Sequence, residues 1–169
     1  MNEHDGMNED INPLIDEIRH LFMRTANRHA VQIDKETQYL LQNCTNPNME
    51  EIIKGLTEIS FHILDAIGRY EPINSIKITQ RTDIPKGTVS KNIQKLMIRN
   101  LIIKTYLPNN KKESVFNLTT LGEELFELHV KMHQRLDDNM SAFFKKYSKQ
   151  NLQFLVRFLK DYEHELSSF

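Results

Sequence analysis

The sequence contains no tryptophan, a single cysteine, and only five glycines and five prolines among its 169 residues. The cysteine, Cys44, can form neither an internal disulfide nor a zinc site built from several thiolates. The scarcity of turn-forming residues, with no segment repeating at a fixed period, argues against a β-sandwich, a propeller or a solenoid. We therefore expect one predominantly helical unit, long enough to bury a single core.

Long apolar runs are missing as well. No segment approaches the roughly 20 apolar residues that a membrane span requires. Residues 1–11 are acidic and polar, unlike the basic and then apolar start of a secretory signal. We expect a cytoplasmic protein in which residues 1–10 form a disordered tail.

Motifs typical of enzymes are equally scarce. The sequence has no Gly-rich phosphate loop and no nucleophile elbow. His129 and His133 have the spacing found in metal hydrolases, but Val130 stands where the general-base glutamate of a His-Glu-x-x-His helix belongs. We therefore expect no catalytic activity and no catalytic residues.

The sequence does have a local concentration of positive charge. The net charge is −1, but the segment from Ser75 to Lys112 contains nine basic residues and one acidic residue, Asp83, and so carries +8 against −9 elsewhere. Such a concentration is typical of a surface that binds phosphate groups, with a solvated basic face as the alternative. The nine are Lys77, Arg81, Lys86, Lys91, Lys95, Arg99, Lys104, Lys111 and Lys112.

Hydrophobic periodicity predicts helices before this segment. Asn12 and Pro13 supply a cap and a first-turn proline for a first helix. Residues 30–47 either continue that helix or form a second one. From Met49 the pattern resumes and predicts one buried middle helix that carries the apolar stripe from Leu56 to Tyr70.

The basic segment itself predicts a winged helix-turn-helix. A short helix at Ser75 to Thr82, a break at Asp83-Ile84-Pro85 and a helix from Pro85 to Asn100 make the helix-turn-helix. Leu101 to Leu107 and Ser114 to Leu118 flank turn-forming residues and predict a hairpin, which in this position is a wing. The fold class is therefore mainly α, with flanking helices around this unit.

Two amphipathic helices follow the hairpin. A capping box formed by Thr120 and Glu123 is expected to open a long helix, in which apolar residues recur every three or four positions. A last helix carries an apolar stripe that ends at Leu166.

The helix from Pro85 to Asn100 is the expected reader of DNA. A helix fits the major groove, where lysine donates to guanine, glutamine pairs with adenine, and serine or threonine contacts base or phosphate. An ordinary soluble surface is the alternative, but the adjoining short helix and basic-tipped hairpin favour DNA binding. The candidate DNA-binding residues are Lys86, Thr88, Ser90, Lys91, Gln94 and Lys95 on the helix, and Asn110, Lys111 and Lys112 at the tip.

These segments resemble the MarR family of transcription regulators over roughly Leu56 to the C terminus. The similarity includes Lys86-Gly-Thr-Val-Ser-Lys91 and the hairpin ending in Val115-Phe-Asn-Leu-Thr-Thr-Leu-Gly122. Its most specific parts are Thr88-Val89-Ser90 and the Leu118-Thr119-x-x-Gly122 pattern.

The resemblance implies a homodimeric regulator; we expect a repressor, with an activator as the open alternative. In that family the first helix and the last two helices of each subunit interlock. The two recognition helices, about 34 Å apart, read a pseudo-palindromic operator. We accordingly divide the chain into a helical dimerisation segment at 11–55, a winged helix-turn-helix DNA-binding domain at 56–119 and a second dimerisation segment at 120–169.

The hairpin tip departs from the family. The family usually carries Asp and then Arg where this sequence has Asn110, Lys111 and Lys112. Lysine supplies charge without the planar fork of arginine, so we expect weaker minor-groove contact here and retained contact with phosphate.

Three histidines match the ligands of the zinc-sensing branch of the family. That branch takes one histidine from the middle helix and two from the long helix after the wing, and His62, His129 and His133 occupy those positions. The resemblance therefore implies a zinc cofactor, although a pair such as His129 and His133, four apart on one helix face, is by itself more often plain surface histidine than a metal site.

The rest of the zinc site departs from the family. In the family, the fourth zinc ligand is a glutamate from the segment before the middle helix. That segment is longer in this chain. Phe61 and Leu128 stand where a second metal site would need acidic residues, so we expect no second site. The unranked candidates for the fourth ligand are His20, His29, Asp34, Glu36 and Cys44.

Other interpretations stay open. An acidic or aromatic small molecule could act as the effector, as could oxidation of Cys44, although no neighbour in the sequence is expected to lower the pKa of that thiol. A winged helix that binds only protein would need an apolar or acidic recognition helix, in contrast to Lys86, Lys91 and Lys95.

Overall fold

The computed structural model describes residues 11–27, 29–107 and 110–168, and the side-chain surroundings of 11–25, 35–107 and 113–168. Within these residues it contains eight helices and one two-stranded antiparallel sheet. None of the described helices combines the length and the hydropathy needed to cross a bilayer. The elements are α1 (Asn12–Asn27), α2 (His29–Asn43), α3 (Met49–Lys54), α4 (Glu58–Tyr70), α5 (Ser75–Thr82), α6 (Lys86–Ile98), β1 (Ile102–Leu107), β2 (Asn110–Leu118), α7 (Thr120–Phe144) and α8 (Lys149–Ser167).

The middle of the chain forms two helices rather than one. The uncertain stretch 30–47 contains α2, whereas the single helix predicted from Met49 to Tyr70 is wrong, because it is divided into α3 and α4. Gly55 ends α3, and Thr57 then adopts an extended backbone and caps α4. The Thr57 hydroxyl accepts from the Ser60 backbone, and the Ser60 hydroxyl accepts from Thr57 in return, which satisfies two helix-end donors.

The predicted helix-turn-helix is confirmed. Helix α5 is capped by Asn74, whose side chain accepts from the Lys77 backbone at 2.8 Å. Asp83 ends the helix in the left-handed region (φ 55°) and donates its backbone N–H to Thr79. Aspartate is one of the few residues that tolerate this conformation, which makes the turn between α5 and α6 tight.

The predicted hairpin is also confirmed. Ile102 pairs with Leu118 and Tyr106 with Ser114, and Ile73 adds a bridge to Phe116 from outside the hairpin. Strand β2 begins at Asn110, four residues before the predicted return strand.

Helix α7 begins differently from the prediction. Its capping residue is Thr119, whose hydroxyl accepts from the Gly122 backbone at 3.0 Å, so the capping box predicted for Thr120 and Glu123 is wrong. The first turn lies directly against the end of the helix-turn-helix: a Cβ at Gly122 would stand 1.9 Å from the Leu101 carbonyl oxygen. This approach requires glycine and explains the Leu-Thr-x-x-Gly pattern.

One core joins α2 to α6, the hairpin and the first half of α7. The second half of α7 and all of α8 contribute no buried residue, and α1 contributes none among residues 11–25. Phe22 stacks on Tyr162 at 4.9 Å between ring centroids and so connects α1 to α8. The fully buried side chains are Leu40, Met49, Ile53, Ile63, Leu64, Ile67, Ile78, Val89, Leu96, Leu101, Ile102 and Leu125.

Candidate functional site

The recognition helix α6 has one face in the core and a polar face outside it. Val89, Ile93 and Leu96 are buried, and the fourth residue of the predicted core stripe, Met97, is half-buried. This anchoring determines which side chains α6 presents to solvent. Of the six candidates on the helix, Lys86, Ser90, Lys91 and Gln94 are exposed, and Thr88 and Lys95 are half-buried.

A hydrogen-bond bridge holds α6 against α4. The buried Ser60 hydroxyl donates to the Asn92 side-chain oxygen at 2.8 Å, and the Asn92 amide donates to the Thr88 carbonyl at 2.9 Å. Because Ser60 belongs to the first turn of α4, the bridge connects that turn to the polar face of α6. A shallow depression of about 430 Å³ lies beside it, between Thr57 and Lys95.

Further cations lie around the helix-turn-helix, and the candidate list made from the sequence did not include them. The Arg81 guanidinium lies 4.2 Å from the Tyr70 ring centroid. On the hairpin, the exposed Lys104 ammonium lies 5.5 Å from the Tyr106 ring centroid. Lys104 and Tyr106 are two positions apart along β1, which places both side chains on one face of the strand. This spacing was the signal in the sequence that could have identified Lys104.

The hairpin tip falls largely outside the described residues. Asn110, Lys111 and Lys112 belong to β2, but their side-chain surroundings are not described. Their predicted contact with DNA therefore stays a prediction.

His129 is a buried residue and not part of a plain surface pair. It is 5% exposed, and its ring stacks on Phe61 of α4 at 5.3 Å with the two planes 9° apart. Its Nε2 lies 3.1 Å from Nε2 of His133, one turn further along α7. The predicted shared face is thus confirmed, and it faces α4.

The surroundings of His129 favour its neutral form. Burial, and after it the neighbouring His133, lowers the pKa of His129 to about 4, while the Asp65 carboxylate opposes both effects. His62 and Arg69 also disfavour a second positive charge here. At neutral pH one nitrogen of the His129 ring therefore carries a lone pair, which a metal ion requires.

His62 borders the same cavity as the pair. A cavity of about 220 Å³ is lined by His62, His129, His133 and Glu36. His62 is half exposed, and its Nε2 lies 3.5 Å from the Glu58 carboxylate. As the side chains stand, no three His, Cys, Asp or Glu residues of the described part of the chain are close enough to share one metal ion.

Two of the other candidates for a fourth ligand, His20 and Cys44, do not line this cavity. His20 is exposed on α1. The Cys44 thiol donates to the Asn46 carbonyl at 3.3 Å and borders a different depression, which it shares with Lys131. His29 and Asp34 lie on α2, but their side-chain surroundings are outside the described residues.

The positions predicted to lack a second metal site are part of the apolar core. Phe61 is buried, and Leu128 packs against the core from α7. Neither side chain offers a metal ligand.

Known proteins are similar to this chain in sequence and in fold. A sequence model of the MarR family matches residues 54–112. The HTH-type transcriptional regulator PchR of Bacillus subtilis (strain 168) is 29% identical over 140 residues, which cover 83% of this chain and 82% of PchR.

Solved structures share the fold at lower identity. Streptococcus pneumoniae FabT in complex with DNA superposes with a TM-score of 0.64 at 16% identity, covering 91% of this chain and 98% of FabT. Lactococcus lactis ZitR, described as a zinc-responsive MarR family member, gives a TM-score of 0.65 at 18% identity, covering 92% and 99%.

Proposed function

This chain belongs to the MarR family of winged-helix transcription regulators, and on that premise we propose that it acts as a zinc-responsive homodimer on a pseudo-palindromic operator. It is a DNA-binding regulator and not an enzyme. The observation that carries the proposal is the two-sided character of α6, which has an apolar face in the core and a lysine-rich polar face in solvent.

Helix α6 is proposed to lie in the major groove. Ser90, Lys91 and Gln94 would reach base edges, since these side chains are exposed on the anchored helix. Lys86, Thr88 and Lys95 would contact bases or flanking phosphates, and Asn110, Lys111 and Lys112 would contact the backbone from the wing. Supporting this orientation, Val89, Ile93 and Leu96 on the opposite side of α6 are buried in the core.

The proposed dimer interface consists of the apolar residues that the single chain leaves exposed. Monomeric proteins rarely expose contiguous apolar patches of more than a few hundred Å². A twofold axis through α1, α7 and α8 would place two copies of α6 in successive major grooves. The exposed apolar residues proposed for this interface are Ile11 just before α1, Leu14, Ile15, Ile18, Leu21 and Met23 on α1, Met140, Phe143 and Phe144 on α7, and Phe154, Leu155, Val156, Leu159, Tyr162 and Leu166 on α8.

The histidines fit zinc in their chemistry and partly in their geometry. Two nitrogen ligands at 2.0–2.1 Å from a tetrahedral zinc lie about 3.3 Å apart. The Nε2 atoms of His129 and His133 are already 3.1 Å apart. His62, on the wall of the same cavity, would leave Glu58 to become the third ligand, and Glu36 is the proposed fourth.

Bound zinc would connect the DNA-binding lobe to the long helix. His62 belongs to α4, two residues after Ser60, and Ser60 holds α6 through Asn92. His129 and His133 belong to α7. An ion shared by the two helices would restrict their relative movement and hence the separation of the two recognition helices, and DNA would in turn tighten zinc binding.

An acidic organic effector is the alternative, and one groove favours it. An open groove of about 640 Å³ between α2 and α7 is lined by Lys35, Tyr39 and Arg135 among others. The Arg135 guanidinium lies 5.6 Å from the Tyr39 ring centroid. Two cations beside an aromatic ring suit an aromatic carboxylate.

One titration tests both parts of the proposal. Fluorescence anisotropy of labelled DNA from upstream of the gene is measured at two salt concentrations, with zinc or with a chelator. We expect specific, salt-dependent binding that zinc strengthens. Replacing Lys91 and Lys95 by Glu removes binding, whereas the same charge change at Lys149 and Lys160 on α8 does not.

The histidine variants separate the zinc response from DNA binding. His62→Ala and His133→Ala abolish the response to zinc and leave zinc-free binding intact, with His164→Ala on α8 as the control. Binding that ignores zinc in the wild type would reject zinc and direct attention to the groove between α2 and α7. Unchanged binding by the double lysine variant would reject the assignment of α6.

A further inference from the structure

Asp65 on α4 has one paired oxygen and one unpaired oxygen. The Arg69 Nε donates to Asp65 Oδ2 at 2.6 Å. Asp65 Oδ1 is buried and has no hydrogen-bond partner among the described residues. A buried carboxylate oxygen without a donor is costly, so its surroundings call for an explanation.

The unpaired oxygen faces His129. Asp65 Oδ1 lies 3.9 Å from Nδ1 of His129, and the Asp65 side chain is 23% exposed. The other nitrogen of the same ring, Nε2, lies 3.1 Å from His133. The two nitrogens of His129 thus point to two different partners, a carboxylate on one side and a second imidazole on the other.

This arrangement selects one tautomer of the neutral ring. A proton on Nδ1 points its positive end at the carboxylate, and Nε2 is then left with its lone pair on the side of His133. The opposite tautomer would direct the Nδ1 lone pair at a negative oxygen. Metal-binding histidines commonly donate their second N–H to a carboxylate, which fixes the ring and raises its basicity.

We propose that Asp65, held by Arg69, is a positioning residue that keeps His129 in the Nδ1–H tautomer and so prepares Nε2 to bind the metal ion. The inference rests on the proposed zinc function. A separation of 3.9 Å is longer than a hydrogen bond. The contact is therefore electrostatic as it stands, and a hydrogen bond from Nδ1 would require the ring and the carboxylate to move closer.

Asp65 and Arg69 could instead be an ordinary helix-surface pair with no bearing on His129. Such a pair, four residues apart, contributes only a few tenths of a kcal/mol and places no demand on a neighbouring ring. The two interpretations differ in one observable, because only the positioning role makes the tautomer of His129 depend on Asp65.

The first measurement is therefore made without zinc. Long-range ¹H–¹⁵N correlation spectra of the metal-free protein report which nitrogen of each histidine carries the proton. We expect the Nδ1–H form for His129 in the wild type and in Asp65→Asn, which keeps an acceptor oxygen. In Asp65→Leu the Nε2–H form should gain population, while Asp138→Asn, a charge-matched change on the exposed side of α7, has no effect.

The second measurement is the affinity for zinc alone, by competition with a chromophoric chelator in the absence of DNA. We expect Asp65→Leu to lower the affinity 10- to 100-fold, as for other outer-sphere carboxylates. Asp65→Asn should be weakened less, and Asp138→Asn should match the wild type. Circular dichroism and thermal unfolding establish that the variants are folded.

The two measurements separate the two hypotheses. An Nε2–H tautomer in the wild type, or a tautomer that ignores Asp65→Leu, overturns the positioning role. An Nδ1–H tautomer that depends on Asp65, with weakened zinc binding in Asp65→Leu, supports it. A wild type that binds no zinc overturns the proposed zinc response and the preparation of Nε2 for metal, even if the tautomer depends on Asp65.

Discussion

His129 combines burial with a proton-binding ring, and this combination sets how the protein responds to acid. The ring is held between Phe61 and His133, where a positive charge loses its hydration and meets a second imidazole. The pKa of His129 is therefore lowered to about 4 from the ordinary 6.5. The folded protein binds this proton far more weakly than the unfolded chain does.

We predict that metal-free protein loses stability between pH 6.5 and pH 4. Above pH 6.5 the ring is neutral in both the folded and the unfolded protein, so protonation of His129 does not reduce the stability. Below it the unfolded chain takes up a proton that the folded chain refuses, which costs up to about 3 kcal/mol. Urea unfolding at pH 7.5 and pH 4.5 measures the loss in the wild type and in His129→Phe. A loss of the same size in both would contradict the assignment to His129.

The sequence predicted part of the histidine site for reasons that are physical. The spacing of His129 and His133 ensures a shared helix face, whatever that face contacts. Which face packs on α4 depends on tertiary contacts, so the burial of His129 could not be predicted. The position of Asp65 beside His129 could not be predicted for a similar reason, since an acidic residue four positions before Arg69 has the pattern of an exposed helix pair.

At the scale of elements, helix ends explain the errors made from the sequence. The apolar stripe continues through Leu56, so periodicity joined α3 to α4. The signal that divides them is the Gly55 stop followed by the Thr57 cap. At α7, Thr119 and Thr120 are adjacent candidates for the cap, and the close approach to the Leu101 carbonyl selects the first.

We predict that Gly122→Ala destabilises the protein by about 1–3 kcal/mol or more, because its Cβ would overlap the Leu101 carbonyl oxygen at 1.9 Å. Gly87→Ala is the matched control. It lies in the first turn of α6 with nothing within 4 Å of its Cβ, so it should be neutral or slightly stabilising. Chemical unfolding of both variants is the measurement, and equal stabilities would refute the close approach.

At the scale of the whole molecule, the buried core and the exposed apolar surface are formed by different parts of the chain. The core crosses the predicted boundary between residues 55 and 56, since Leu40, Met49 and Ile53 pack with α4 and α7. Hydrophobic patterning predicted that α1 and α8 are amphipathic. It could not show that their apolar faces stay uncovered within one chain, because that requires knowing which elements touch.

We predict that these faces hold two chains together. Light scattering after size exclusion should give twice the chain mass of 20.0 kDa. Leu155→Glu with Leu159→Glu on α8 should give the monomer mass and weaken operator binding, because each chain then holds a single half-site. Gln153→Glu on the same helix is the control for added negative charge. A wild type that runs as a monomer would reject the interface.

The bridge from Ser60 to Asn92 has a consequence for operator choice. Because α6 is bonded to the first turn of α4, the recognition helix cannot roll about its own axis independently of the lobe that carries it. A signal that arrives through α4 therefore moves the lobe as a rigid body. In the proposed dimer, such a signal would alter whether two half-sites are engaged together and would leave unchanged the bases that each helix prefers.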